Sequence, residues 1–277
     1  MDKRIALRFD IDSISCVKNG LAGLVALADC YAIPMTFFVT MGKAILRLNT
    51  LRSMALGTKP FSPHTLKRLG LKEALTTFAI NPDVGITHAG VLAGLLDKGH
   101  ELGLHGGKNH AWWQLHARTA SQREIRDDLG WGYSAFVKHF GAPAGFAAPG
   151  FAWSETTLAC IDEKGFLYAS DMDGPTPFRP RLGEKQFSHW QVPVTVQGPS
   201  HISLVEWAYM QKQSEQDFLA ELSLKLSTGG PAVLYGHPSF EGTMGIAYLS
   251  TAVEYLLNKG YTFTRMKDLV PGGQGAS

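Results

Sequence analysis

Cysteine, net charge and long apolar runs are all scarce in this sequence. Its 277 residues include three cysteines (Cys16, Cys30 and Cys160), an odd number without C-x-x-C spacing, which argues against a disulfide framework and indicates a cytosolic protein. The net charge of +2 is too small to suggest a nucleic-acid partner. No apolar run reaches the ~18 residues of a membrane-spanning helix, and the N-terminus lacks a signal-peptide pattern. These absences predict a cytoplasmic globular protein.

Most of the chain alternates between strand-like and helix-like segments. A helical pattern over residues 19–33 lies between strand patterns at 5–12 and 35–40, and this βαβ order predicts a parallel sheet. The alternation continues with helices predicted over 88–98, 121–140, 154–164, 214–227 and 245–258, and strands over 101–105, 146–150, 166–170, 191–195, 232–237 and 261–263. The pattern predicts an α/β fold, a distorted (β/α) barrel of about seven parallel strands.

One long insertion, at about residues 41–87, interrupts this alternation. Acidic residues are absent from its first part, residues 41–72, which has seven basic ones: Lys43, Arg47, Arg52, Lys59, Lys67, Arg68 and Lys72. Because apolar residues lie between them, the segment could rest on an anionic membrane surface, or it could be a solvated excursion that caps one end of the fold. The sequence otherwise predicts a single domain over residues 1–270 and a flexible glycine-rich tail at 271–277.

Polar residues stand where several of the predicted strands end. Five of them are placed in this way: Asp10, Asp12, His105, Asp171 and His237. In a parallel α/β barrel the carboxyl ends of the strands form the face on which active sites are built. We therefore expect these side chains to converge.

Such a set of side chains suits the hydrolysis of an amide. One carboxylate and two imidazoles are typical ligands of a catalytic divalent metal, a second carboxylate can accept a proton, and another histidine can protonate a leaving amine. The remaining histidines are interpreted as hydrogen-bonded structural residues: His64, His100, His116, His139, His189 and His201.

These motifs resemble those of the polysaccharide deacetylase family (NodB homology, carbohydrate esterase 4). The segment 9–12, Phe-Asp-Ile-Asp, is similar to the first motif of the family, which implies that Asp10 is the general base and Asp12 a metal ligand. His105 resembles the first histidine of the metal motif, and the resemblance of Leu-Tyr-Gly-His at 234–237 implies that His237 is the general acid. The resemblance implies a NodB-like deacetylase barrel and a divalent cofactor, Zn²⁺ first, with Co²⁺, Ni²⁺ or Fe²⁺ as alternatives.

Within the family, the chain most resembles the type that deformylates undecaprenyl-phosphate-linked 4-formamido-arabinose. The resemblance implies removal of an N-formyl or N-acetyl group from a lipid-linked or nucleotide-linked amino sugar, in the synthesis of envelope polysaccharide, O-antigen or lipid A. It also implies a location at the inner face of the bacterial inner membrane, with membrane contact through residues 41–72. Similar stretches around Arg8, Trp112, Asp171 and Arg179 make these four residues candidates for binding substrate.

Two positions depart from the pattern of the family. The second metal histidine of the family falls at Asn109, and His110 comes one residue later, so His110 is the expected ligand, with Asn109 as the alternative for a weakly held metal. If the metal has been lost, the chain is instead a degraded carbohydrate-binding or scaffold protein of the same fold. The arginine that braces the base aspartate in the family is absent from residues 147–152, which leaves Arg8 or Arg179 to supply that charge.

Overall fold

A computed structural model describes residues 2–46 and 77–272 of the chain. Ten strands are found in these ranges: β1 (Arg4–Ile11), β2 (Thr36–Val39), β3 (Glu101–His105), β4 (Gly145–Ala147), β5 (Tyr168–Ala169), β6 (Arg181–Leu182), β7 (Lys185–Gln186), β8 (Trp190–Gln191), β9 (Ala232–Gly236) and β10 (Thr262–Thr264). Eight of them form one sheet, while β6 and β7 pair as a separate antiparallel ribbon.

The main sheet is parallel throughout and curls into a distorted barrel. Strand β1 pairs with β9 over residues 5–9. Strand β10 pairs with the start of β1, and strand β2 pairs with the end of β1. From β2 the order runs through β3, β4, β5 and β8. The chain after β8 then reaches β9 through a bridge between Val196 and Leu234, which brings the last strand of the series back toward the first. The predicted α/β barrel is thus confirmed.

Helices surround this sheet. The described ranges include the α-helices α1 (Leu21–Tyr31), α2 (Val84–Thr87), α3 (Ala89–Asp97), α4 (His110–His116), α5 (Gln122–Phe140), α6 (Glu155–Lys164), α7 (Leu204–Gln211), α8 (Glu215–Lys225), α9 (Pro238–Glu241) and α10 (Ile246–Asn258). Helix α5 begins with a capping box, because Ser121 Oγ accepts from the N–H of Glu124 and the Glu124 carboxylate accepts from the N–H of Ser121.

The two faces of β1 carry different kinds of side chain, apolar ones toward the helices and charged ones toward the inside of the barrel. Leu7, Phe9 and Ile11 belong to the apolar layer between the sheet and the helices, whereas Ala6 belongs to a smaller cluster inside the barrel. Since alternate side chains of a strand share a face, Arg8 and Asp10 point inward with Ala6. The strand pattern therefore places two charged side chains inside the barrel, in contact with each other.

Three differences from the sequence prediction matter for the site. Helices α4 and α7 were not predicted, and strand β8 is much shorter than the predicted 191–195. Pro193 cannot donate to the sheet, which agrees with the irregular path of the chain after Gln191. Helix α4 is the most important of these, because it begins at His110.

Most of the basic segment 41–72 lies outside the described residues, which also end before the last five residues of the predicted tail. The expected membrane contact therefore stays a prediction. Among the described residues, we find no helix with the length and hydrophobicity needed to cross a bilayer.

Candidate active site

A carboxylate and two imidazoles meet at the carboxyl ends of β1 and β3. Asp12 directly follows β1, His105 ends β3, and His110 is the first residue of α4. The Asp12 Oδ1 atom lies 3.3 Å from His105 Nε2 and 3.4 Å from His110 Nε2. The three potential ligand atoms all lie within 4.8 Å of one another. The structure thus brings together the three residues that the sequence analysis names as metal ligands.

Asn109, the alternative ligand, is used elsewhere. Its Oδ1 accepts a hydrogen bond from the Trp112 N–H at 3.0 Å, which caps α4, and its Nδ2 donates to the Ile45 carbonyl at 3.1 Å. Both ends of this amide are therefore engaged in fixing the start of the helix. The cap turns the next residue, His110, toward Asp12.

The donor set fits a divalent metal such as Zn²⁺. Asp12 Oδ1 is buried and has no hydrogen-bond partner of acceptable geometry, although two imidazole nitrogens are near it. Ligand atoms bound at about 2.0–2.1 Å to a tetrahedral ion lie roughly 3.3 Å apart, close to the observed spacing. His105 Nδ1 is 2.9 Å from the Ala147 carbonyl, which can only accept, so this nitrogen carries the proton and Nε2 keeps its lone pair for a metal.

The Asp12 carboxyl is held in its charged form by its surroundings. Burial alone would raise its pKa, but the neighbouring imidazoles of His110 and His237 outweigh burial, and the pKa of Asp12 lies well below its ordinary value. A carboxylate has to be ionised to bind a metal, and Asp12 meets this requirement.

Arg8 and Asp10 form a buried ion pair beside the cluster. The guanidinium donates to both oxygens of Asp10, from Nε at 2.9 Å and from Nη2 at 2.7 Å, and Nη1 donates to the carbonyl and hydroxyl of Ser170. Burial opposes the charge of Arg8, but the Asp10 carboxylate outweighs this effect and raises the pKa of Arg8. The charge missing from residues 147–152 is therefore supplied here by Arg8.

His237 reaches the cluster from the end of β9. Its Nε2 lies 3.3 Å from Asp12 Oδ2 and 3.0 Å from the Tyr235 hydroxyl. The backbone of His237 is fixed by Glu241, whose Oε2 accepts from the His237 N–H at 2.6 Å and whose Oε1 accepts from the Ser203 hydroxyl. Position 236 is glycine because a Cβ there would fall 2.5 Å from the Glu241 carboxyl carbon. Glu241 thus joins the end of β9 to the N-terminus of α7.

Burial raises the pKa of Glu241 from 4.5 to about 8, and this makes a prediction about stability. Between these two pH values the folded state keeps a proton that the unfolded state releases, so the free energy of unfolding falls as pH rises through the window and is level above it. In the wild type this fall in the free energy of unfolding should be on the order of a few kcal/mol across the window. Glu241→Gln cannot release that proton, so we expect its free energy of unfolding not to show this fall.

Urea unfolding at pH values on either side of the window measures this effect. Glu155→Gln, a change in an exposed carboxyl group at the start of α6, is the matched control and should leave the pH dependence of the wild type unchanged. Parallel pH profiles for Glu241→Gln and the wild type would contradict the prediction.

The four predicted substrate-binding residues lie outside the catalytic pocket. Arg8 has no exposed surface and each of its three side-chain nitrogens donates to Asp10 or Ser170, so it supports Asp10. Asp171 is 3% exposed and accepts from the Ala148 N–H at 2.5 Å; burial raises its pKa to about 7. Arg179 packs over the Trp190 ring at 5.1 Å, and Trp112 faces a neighbouring pocket beside Asn109. None of these four residues lines the pocket, and their contact with substrate stays a prediction.

The pocket itself has a volume of about 290 Å³. Besides the residues that the sequence identified, it is lined by Gln114, Gly150, Phe151, Ser200, His201 and Tyr235. His201 was interpreted from the sequence as a structural histidine, but it is exposed and stands at the pocket. It lies in an irregular connection after β8, where no hydrophobic period indicates which way a side chain points.

Comparison with known proteins finds related sequences. The profile of a family described as polysaccharide deacetylase matches residues 1–169. A protein of Shewanella sediminis (strain HAW-EB3), named "Probable 4-deoxy-4-formamido-L-arabinose-phosphoundecaprenol deformylase ArnD", is 25% identical over 250 residues, which are 86% of this chain and 76% of that protein. A protein of the same name from Wigglesworthia glossinidia brevipalpis is 28% identical over 176 residues, 63% of this chain and 59% of that protein.

The fold also matches solved structures. The structure of a protein described as a polysaccharide deacetylase, from Mycobacterium smegmatis, superposes with a TM-score of 0.65 at 20% sequence identity. The match covers 98% of this chain and 90% of that one. At this identity the likeness concerns the fold, and it extends over the whole barrel.

Proposed function

Because the chain belongs to the polysaccharide deacetylase family, we propose that its pocket hydrolyses the amide of an N-acylated amino sugar with the residues described above. The chain is a carbohydrate amide hydrolase, and the proposal concerns the role of each residue and the substrate. One observation carries it: the Asp12 oxygen faces two imidazole nitrogens at 3.3 and 3.4 Å, in the same pocket as Asp10 and His237.

Asp12, His105 and His110 would hold the divalent metal, and we propose Zn²⁺ as the ion. One carboxylate and two imidazoles leave open positions on such an ion. When bound, the ion would polarise the amide carbonyl and lower the pKa of a water ligand toward neutrality. The interpretation as a degraded binding or scaffold protein relied on Asn109 at a ligand position and on the missing arginine. His110 beside Asp12 and Arg8 on Asp10 speak against these two reasons.

Asp10 and His237 would move the protons of the reaction. Asp10 accepts a proton from the attacking water, whose oxygen bonds to the acyl carbon. His237 delivers a proton to the sugar nitrogen as the C–N bond breaks, and the products are a free amine and formate or acetate. Arg8 holds the Asp10 carboxylate, and the Tyr235 hydroxyl helps to orient the His237 ring.

For the substrate, we propose an N-formyl amino sugar joined to a lipid carrier. The names of the two relatives describe a formamido-arabinose attached to phosphoundecaprenol. A pocket of about 290 Å³ is at the lower end of the usual range for small-molecule sites and suits a single sugar ring with its acyl group. With such a substrate the protein would work at the cytoplasmic face of the membrane, and residues 41–72 would make a peripheral contact there.

Release of formate tests the proposed function directly. We expect the Zn²⁺-loaded protein to release formate from undecaprenyl-phosphate-linked 4-formamido-4-deoxy-arabinose, to lose this activity with a chelator, and to regain it when Zn²⁺ is restored. Asp10→Asn is the control and should lower the rate by about 10²–10⁴, the usual contribution of a general base. Folded, metal-loaded protein that releases neither formate nor acetate from any N-acylated amino sugar would refute the proposal.

A further inference from the structure

His201 stands at the catalytic pocket in an unusually fixed position for an exposed side chain. Its ring stacks on Phe151, with the ring centroids 4.5 Å apart and the planes 22° from parallel. The Gln197 side-chain oxygen lies 3.2 Å from His201 Nδ1. Since an amide oxygen only accepts, Nδ1 is the donor, and in the neutral ring Nε2 remains an acceptor. Two contacts thus set the orientation of the ring before any ligand arrives.

The backbone around this stack is strained. Phe151, Ser200 and His201 have φ values of 50°, 54° and 58°, and Gly150 between Pro149 and Phe151 has 63°. Of the six non-glycine residues with positive φ in the described ranges, these three line the pocket. Left-handed backbone at such residues costs on the order of 1–2 kcal/mol each. Strain concentrated at one pocket indicates that the positions of these side chains serve a purpose there.

The stack is supported from the interior of the barrel. The Arg8 guanidinium lies over the Phe151 ring at 5.0 Å, and the Tyr235 ring packs edge-on against Phe151 at 5.4 Å. Phe151 is 9% exposed, whereas His201 is exposed. A continuous series of contacts therefore runs from the buried Arg8–Asp10 pair through Phe151 to His201, and the outermost ring is the one available to a ligand.

We propose that His201, held against Phe151, is the platform on which the sugar ring of the substrate packs. The chemistry that fits is a pyranose, whose apolar C–H face rests on the flat face of the imidazole. An immobilised aromatic ring offers this contact with little further loss of conformational freedom. His201 is thus a substrate-binding residue, and it takes no part in the proton transfers. The inference rests on the proposed function for its substrate.

Replacement of His201 distinguishes a role in stacking against the sugar from a purely structural role. We expect His201→Ala to raise KM for the formamido sugar about tenfold, as loss of one aromatic contact would (about 1.4 kcal/mol), with kcat changed less than about threefold. His201→Phe keeps a flat ring on Phe151 and should stay within about threefold of the wild-type KM. His139→Ala, which removes an exposed histidine on α5, is the matched control and should change neither constant.

The outcomes are distinct. The proposal that His201 is a platform for the sugar would be overturned if KM were unchanged in His201→Ala. It would also be overturned if KM rose as much in His201→Phe as in His201→Ala, or if His201→Ala lowered kcat alone. If the wild type released no acyl group, the proposed function would fail, and binding of free 4-amino-4-deoxy-arabinose would still decide this inference. A shift of the His201 ring proton resonance on titration with that sugar supports the platform, and no shift refutes it.

Discussion

Replacing His110 with alanine is expected to abolish stoichiometric metal binding and to lower the rate of acyl release by roughly a hundredfold or more. Loss of a residue that hydrogen-bonds to a metal ligand typically lowers metal affinity or activity about 10–100-fold. Loss of the ligand itself should lower them by roughly that much or more. The structural reason is that His110 Nε2 lies 3.4 Å from Asp12 Oδ1, the same oxygen that lies 3.3 Å from His105 Nε2. Elemental analysis after loading with Zn²⁺ and desalting measures the first effect.

Asn109→Ala is the decisive comparison, since it changes the residue at the usual position of the family. Because the Asn109 side chain caps α4, we expect this variant to keep one metal per chain and to lose about 1 kcal/mol of stability, the usual cost of an N-cap. The wild type and Asn109→Ala should both melt at a higher temperature when Zn²⁺ is added, and His110→Ala should not. Metal retained by His110→Ala and lost from Asn109→Ala would reverse the assignment.

The sequence was sufficient to predict the barrel and the inward set of charges on β1. Alternation over residues 5–12 places Asp10 and Asp12 on one face of the strand. Arg8 lies two residues before Asp10 and therefore shares this face, so the strand itself brings Arg8 and Asp10 into contact. The ends of β3 and β9 were also predicted within a residue, so His105 and His237 were expected at the same face of the barrel. These predictions succeed because the two-residue period of a strand fixes the direction of each side chain, and the parallel sheet places the strand ends at the same face of the barrel.

The position of His110 could not be predicted in the same way. The run from His110 to His116 is a short helix with four aromatic or imidazole rings in seven residues, and it carries no clear amphipathic period. One signal was present: Asn109 is a favoured N-cap residue, which would have indicated a helix starting at His110 and thereby a fixed direction for its side chain. His201 had no such signal, because its role depends on a contact with Phe151, which is distant in sequence. For Glu241 the bond from the His237 N–H is local, whereas the bond from the Ser203 hydroxyl joins segments distant in sequence.

The largest effect on stability is expected from Arg8→Met. Neither side chain of the Arg8–Asp10 pair is more than 3% exposed, so removing the guanidinium leaves a buried carboxylate without a counter-charge. Breaking a buried pair in this way costs about 3–5 kcal/mol. We therefore expect Arg8→Met to lower the free energy of unfolding by that amount in urea, and to lower activity because Asp10 loses the bidentate contact that orients it.

Two further variants show whether the buried charge is the cause. Arg126→Met breaks a bidentate pair with Glu163 whose side chains are 52% and 42% exposed, and it should cost at most about 1 kcal/mol. In the double variant Arg8→Met/Asp10→Asn neither charge is left buried, so its stability should be higher than that of Arg8→Met alone although activity stays lost. If the double variant were instead less stable by the sum of the two single changes, the loss would come from packing against the Phe38, Phe151 and Tyr235 rings around Arg8 and not from the unpaired carboxylate.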